Sequence, residues 1–313
     1  MGLTTGLIPG LTTGPALSAD GQSAPWPVRL RADMERLAEV SWRLRVAAGA
    51  TCPRSTGLSG ITIDHIEAYD KRDRDALQAL FAMGESPQIA AVAPGSPAAQ
   101  AGLRPGDLIL AIDGQPIERI VAGVQDQALV SDEVERALER RDASGPMTLR
   151  IERAGKTEER QVRPRLVCAA DFEIKTDGSI DAYSGDGRIA ISTGVIAFAR
   201  SDDELALVAG HELAHVIYGD DRAKGLSNRR YMEDRADLLG AALLTCAGYD
   251  KVAAVAYRLR YGRQDRLRWL RSPTHRNPQE RARRVLASQG SRVCPLDMAN
   301  VARLSAAALA AKP

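Results

Sequence analysis

The pentapeptide His211-Glu212-Leu213-Ala214-His215 constrains this chain more than any other stretch, because on a helix it sets two imidazoles one turn apart on one face with a carboxylate beside them. Residues four apart on a helix stand one above the other, so two imidazoles reach a single tetrahedral metal ion without distorting the backbone. The carboxylate of Glu212 then lies beside that ion, placed to act as a base toward the water the metal activates. With only four histidines in 313 residues, such a match is rarely accidental.

The flanking sequence predicts an amphipathic helix over about 202–218, with Ser201 as N-cap and Glu204 completing a capping box. Two imidazoles do not complete a catalytic zinc site, which takes three protein ligands and keeps a position for water. A second helix, predicted over about 228–247, supplies Glu233-Asp234-Arg235-Ala236-Asp237. A tight helix-loop-helix folds Glu233 back over the first helix as third ligand. Asp237, one turn later, is placed to accept the far N–H of an imidazole, most naturally that of His211, and so to fix its tautomer.

Elsewhere the composition is that of an ordinary globular protein, 44% apolar and 26% charged, long enough for two domains. The net charge of +2 gives no electrostatic case for nucleic acid. The arginine-rich stretch 258–284 reads as a solvated helical face. No apolar run approaches the roughly 18 residues of a membrane span. Residues 1–27 lack Lys and Arg and carry small residues at 16–19, so they read as a flexible leader or a degenerate signal segment. The four cysteines, Cys52, Cys168, Cys246 and Cys294, have no CxxC spacing. They leave open buried thiols or two disulfides in an oxidising compartment, with Cys52–Cys168 and Cys246–Cys294 the favoured pairs.

Three further segments are expected before the metal region. Residues 28–56 hold an N-terminal helix, with Leu30, Met34, Leu37, Leu44 and Val46 at helical spacing, and 57–166 form a β-rich module. That module holds short β-branched runs near 61–63, 89–92, 108–112 and 147–151, and one helix, 131–140, capped by Ser131. Its stretch VAPGSPAAQAGLRPGDLILAIDG, residues 92–114, resembles a bacterial PDZ domain, with Gly102, Gly106 and Gly114 where such domains turn tightly. The resemblance implies that an extended peptide adds as a strand and is held at a loop, here Leu58-Ser59-Gly60-Ile61, with Val134 and Leu138 as the facing groove wall. His65 has no ligand partner at a useful spacing and reads as a surface or strand residue.

The region 167–313, and most closely 166–290, resembles the M48 family of zinc metalloendopeptidases on four features: Thr193-Gly194 before the helix, HELAH, ExxAD, and a later Thr274-His275-Arg276-Asn277-Pro278-Gln279-Glu280-Arg281. The resemblance implies a fold of α+β class, a mainly helical peptidase domain with a small sheet beside the PDZ domain. It implies one Zn2+ per chain and hydrolysis of protein or peptide substrates. The strand carrying Ile191, Thr193 and Gly194 would be the edge along which substrate lies, and His275 would approach the zinc or the oxyanion with support from Arg281. Arg276 stands where that family usually has Pro. An extracytoplasmic, periplasmic location follows from the same reading. The alternative is a non-catalytic or latent PDZ-containing binding protein whose zinc is closed off by His275 as fourth ligand.

Overall fold

The computed structural model describes residues 24–139, 143–222, 228–264, 276–288 and 294–310. It opens on a long helix, α1 (Trp26–Ala48), entered by Pro25 and stopped at Gly49. A β-rich body follows in the order β1 (Ser55–Leu58), β2 (Ile61–Asp64), α2 (Arg74–Phe81), β3 (Gln88–Val92), α3 (Pro97–Gln100), β4 (Leu108–Ile112), β5 (Gln115–Pro116), α4 (Ile117–Ala122), α5 (Val130–Glu139), β6 (Met147–Arg153) and β7 (Lys156–Val162). The order β2-β3-β4-β6-β7 makes one antiparallel sheet, with β5 paired to β4 and with β2 as an outer strand. Its core is Ile63, Ile89, Ile109, Ile112, Leu149 and Ile151 under Val130, Val134 and Leu138 of α5. The body holds α2, α3 and α4 as well as the one helix expected. Helix α5 begins at Val130, so Ser131 lies inside it rather than at its cap. His65 is buried after β2, with Nε2 3.0 Å from the Glu85 carbonyl, and is not a surface residue.

The chain leaves this body through β8 (Arg165–Cys168), antiparallel to β1, so entry and exit run side by side. The second body contains β9 (Asp171–Lys175), β10 (Ala182–Gly185), β11 (Arg188–Ser192), α6 (Thr193–Phe198), α7 (Asp202–Tyr218), α8 (Arg229–Cys246), α9 (Lys251–Gln264), α10 (Pro278–Ala287) and α11 (Met298–Ala310). Helix α7 is less an amphipathic surface helix than the axis of the core. Leu205, Ala206, Leu207, Ala209, Leu213 and Ala214 are apolar around much of its circumference and buried. It starts on Ser201, whose side chain accepts from the Glu204 amide, while Glu204 reaches the Arg200 amide, one residue before the cap.

Helices α7 and α8 cross at Gly210 and Gly240. A Cβ at Gly240 would lie 2.9 Å from the His211 nitrogen and one at Gly210 3.1 Å from the Gly240 carbonyl oxygen, so the backbones touch where side chains would hold them apart. That approach brings Glu233, two turns before Gly240, over the histidine face of α7.

Helix α1 serves both bodies. Leu37, Val40, Leu44 and Ala48 lie in the core around α7, while Trp42 packs with Leu58, Ala93 and Val167. The β-rich body is thus an insertion between α1 and the rest of its helical core. Cys52 and Cys168 join across the neck of the insertion, with Cα atoms 5.2 Å apart, and Cys246 joins Cys294 at 5.5 Å, the two pairings expected.

Candidate metal centre

Helix α7 presents His211 and His215 on one face with their Nε2 atoms 3.2 Å apart. Glu233 reaches them from α8, its Oε2 3.3 Å from His211 Nε2 and its Oε1 3.8 Å from His215 Nε2. One donor atom of each of the three lies within 4.8 Å of the others. Zinc–nitrogen bonds of about 2.0–2.1 Å at a tetrahedral angle place two nitrogens about 3.3 Å apart, so these donors suit that ion in type and spacing.

Each imidazole is backed by a carboxylate. His211 Nδ1 lies 3.0 Å from Asp237 Oδ1, and His215 Nδ1 lies 2.7 Å from Asp220 Oδ2. Burial alone would favour the neutral His211 ring, but the carboxylates of Asp237 and Glu233 outweigh it and, without a cation, push its pKa up to about 9. Asp237 in turn binds Arg281 through two bonds, 2.6 and 2.7 Å, and Arg258 at 2.7 Å. Burial works against its charge, yet these guanidinium groups and His211 hold its carboxyl well below the usual range. Sequence reasoning missed Asp220. The available signal was an acid five residues past the second histidine, directly after the helix-ending Gly219.

Glu212 is buried beside the two histidines, and Ser184 Oγ of β10 donates to its Oε2 at 2.9 Å. A hollow of about 320 Å³ opens there, lined among others by Ser184, Gly185, His215, Val216 and Arg54.

Two expectations for this region are corrected. The strand carrying Ile191 is not an edge: β11 lies between β10 and β9 and pairs with both, and Ile191 is buried. The strand also ends at Ser192, and Thr193 and Gly194 begin α6. They latch the 177–179 loop, with Thr193 Oγ1 donating to the Asp177 carbonyl at 2.6 Å. A Cβ at Gly194 would fall 2.1 Å from the Ser179 carbonyl oxygen. The outer strand facing the site is β10.

Among the described residues, arginines of 258–284 are drawn into ion pairs rather than spread over a solvated face. Arg281, expected to support His275, is bound to Asp237 and lies 3.7 Å from Glu233 Oε2, beside the candidate donors. Arg276, in the place of the usual Pro, binds Asp234 at 2.9 and 3.0 Å. With Arg258 on Asp237 and Arg260 on Glu204, the stretch read as a solvated face contributes mostly part-buried ion pairs among the described residues. His275 lies outside the described residues.

The expected peptide groove is altered as well. Leu58, Ser59, Gly60 and Ile61 are buried, with Trp42 of α1 packed on Leu58, and the Ser59 and Gly60 carbonyls accept from Ala98 and Ala93. Val134 lies in the sheet core, whereas Leu138, also part of that core, lines a hollow together with Leu58, Ser59, Gly60 and Ile61. The α5 residue that meets the outer strand is Glu135, whose Oε1 accepts from the Ile63 amide at 2.7 Å. The remaining space, about 70 Å³, is lined among others by Trp42, Arg45, Ser59, Gly60, Glu135 and Asp171.

Burial pushes the Glu135 pKa up to about 8; the Ile63 amide opposes this, and Glu139, Asp132 and Asp171 add to it. Its folded value lies above its ordinary one of 4.5, so the folded state holds the proton longer and stability falls as pH rises from about 4.5 to 8. Glu135→Gln keeps an acceptor and removes that titration. Thermal melts are expected to show little difference from wild type at pH 5 and a growing advantage of the variant by pH 8.5; a pH-independent gap refutes the assignment.

Comparison with known proteins adds two family matches, a PDZ domain over residues 88–153 and peptidase family M48 over 168–227. No curated protein matches the chain. Among solved structures it is similar to the crystal structure of the HtrA3 PDZ domain bound to a phage-derived ligand (FGRWV), at 22% identity and a TM-score of 0.27, over 36% of this chain and 90% of that one. It is similar to the HtrA-type protease AlgW with decapeptide at 22% identity and a TM-score of 0.27, over 36% and 30%. The chain therefore carries a PDZ domain followed by a region of peptidase family M48, a family of metalloproteases.

Proposed function

We propose that the protein is a zinc-dependent endopeptidase in which His211, His215 and Glu233 hold one Zn2+ and Glu212 is the general base. The observation that carries this reading is the convergence of those three donors, on two helices in backbone contact, with a second carboxylate, Glu212, beside them that is not of the donor set. When bound, zinc polarises the scissile carbonyl and acidifies the attacking water. Glu212 takes the proton of that water and delivers it to the leaving amine. Ser184 holds Glu212 in place by donating to the oxygen that does not need to carry the proton.

Substrate enters extended along β10, whose inner edge pairs with β11 and whose residue Ser184 touches the base. Pairing through backbone groups tolerates varied sequences and suits protein or peptide substrates. The PDZ domain recruits them, and the two disulfides support an extracytoplasmic, periplasmic setting.

The test is metal analysis of the purified protein together with cleavage of casein. One equivalent of zinc is expected, with cleavage abolished by a chelator and restored by added Zn2+. Cleavage that proceeds in metal-free protein would end the proposal.

A further inference from the structure

We infer that Asp220, clamped by Arg235, is the positioning residue for His215; this rests on the zinc-site reading above and extends it to the second histidine. Helix α7 stops at Gly219 in the left-handed conformation, φ 64° and ψ 40°, and the reversal carries Asp220 back against the last helical turn. There its Oδ2 lies 2.7 Å from His215 Nδ1, and its other oxygen accepts from Arg235 of α8. The pair is largely withdrawn from water, with 5% of the Asp220 side chain and 19% of the Arg235 side chain exposed.

Arg235 is itself fixed. Its guanidinium carbon lies 4.1 Å over the Tyr218 ring and 5.2 Å from the Tyr231 ring centre, one ring at the end of each helix that supplies donors. Arg235 therefore holds Asp220, and Asp220 holds the ring. With Nδ1–H directed at Asp220, the lone pair of Nε2 faces His211 and Glu233, the orientation a metal requires. Asp237 lies 3.0 Å from His211 Nδ1, so each histidine has its own carboxylate neighbour.

The neighbouring Asp221 extends the reach of this turn. Its Oδ2 accepts from the Asp186 amide at 3.1 Å, in the turn between β10 and β11. Strand β10 carries Ser184, the partner of Glu212. Two adjacent acids thus tie a donor histidine and the strand that steadies the base to one short turn, Asp220–Arg222.

An ion pair that merely joined α7 to α8 would affect stability alone. The discriminating experiment is competition of the metal-free full-length protein with a chromophoric chelator for Zn2+, with the visible spectrum of the Co2+ form as a second readout. Asp220→Ala is expected to weaken zinc binding about 10–100-fold and to alter the Co2+ spectrum. Asp220→Asn loses the charge facing Arg235 but keeps an oxygen that accepts Nδ1–H, and is expected to bind within a few-fold of wild type. Wild-type affinity in Asp220→Ala, or equal losses in both variants, would overturn the assignment. A wild-type protein that takes up no zinc would sink the site reading itself and this inference with it.

Discussion

Glu212→Gln is expected to lower the rate of peptide hydrolysis by roughly 10²–10⁴-fold, the usual contribution of a positioned general base, while leaving zinc content unchanged. The amide is nearly isosteric with the carboxylate and still offers an oxygen to Ser184 Oγ, so the local geometry should survive. What it lacks is basicity toward the attacking water. Glu212 also stands outside the converging set of His211, His215 and Glu233, which is why metal and activity should separate in this variant. Parallel measurement of zinc stoichiometry and of kcat on a quenched peptide checks both halves. Retained turnover would remove Glu212 from the chemistry, and lost zinc would make it part of the donor shell.

Asp237→Ala should produce the largest loss of stability. Asp237 is buried and accepts from Arg258 and Arg281 while lying against His211. Removing it leaves two guanidinium groups facing each other without their shared counter-ion. Burial and Arg281 already push the Arg258 pKa down to about 10. Breaking one side of a buried ion pair costs about 3–5 kcal/mol, because the remaining charge stays desolvated. A drop in melting temperature on the order of 10 °C is the expected readout, in zinc-free as well as zinc-loaded protein. The exposed pair of Asp70 and Arg72 is the control, for which Asp70→Ala should cost under about 1 kcal/mol. An Asp237→Ala protein as stable as the control would mean that the guanidinium groups find water or other acceptors.

The sequence reveals those parts of the site that are local to one element. A histidine pair four apart shares a metal readily when it is helical, and Glu233 and Asp237 sit one turn apart on the next helix, so their juxtaposition follows from helix geometry and a short connection. The PDZ segment is legible because its glycines adopt φ values of 73°, 93° and 76° at Gly102, Gly106 and Gly114, which restricts the residue type at those turns. Features set by tertiary order are not legible in this way. Whether β11 is an edge depends on where Ala182-Tyr183-Ser184-Gly185 pairs, and that stretch has little strand character of its own. Gly194 resembles a strand-end glycine in sequence, yet its smallness is required by a loop 15 residues earlier. Asp220 and Glu135 are ordinary acids until the fold places an imidazole or a backbone amide against them. The arginines of α9 and α10 were misread for the same reason, since their acidic partners lie on α7 and α8.

The insertion of the PDZ domain behind α1 sets an order of events during synthesis. Helix α1 emerges with Leu37, Val40 and Leu44 exposed, and the chain must then make the 116-residue span between Cys52 and Cys168 before β9, α7 and α8 follow. Domains fold largely as units and from the N-terminal side, so the inserted body closes first, with Trp42 of α1 already engaged by Leu58 and Val167. The waiting face of α1 is then held beside a folded body while its partners are still being made. The three candidate donors, all on α7 and α8, come together only when that face is finally covered, so the site is among the last features the nascent chain completes.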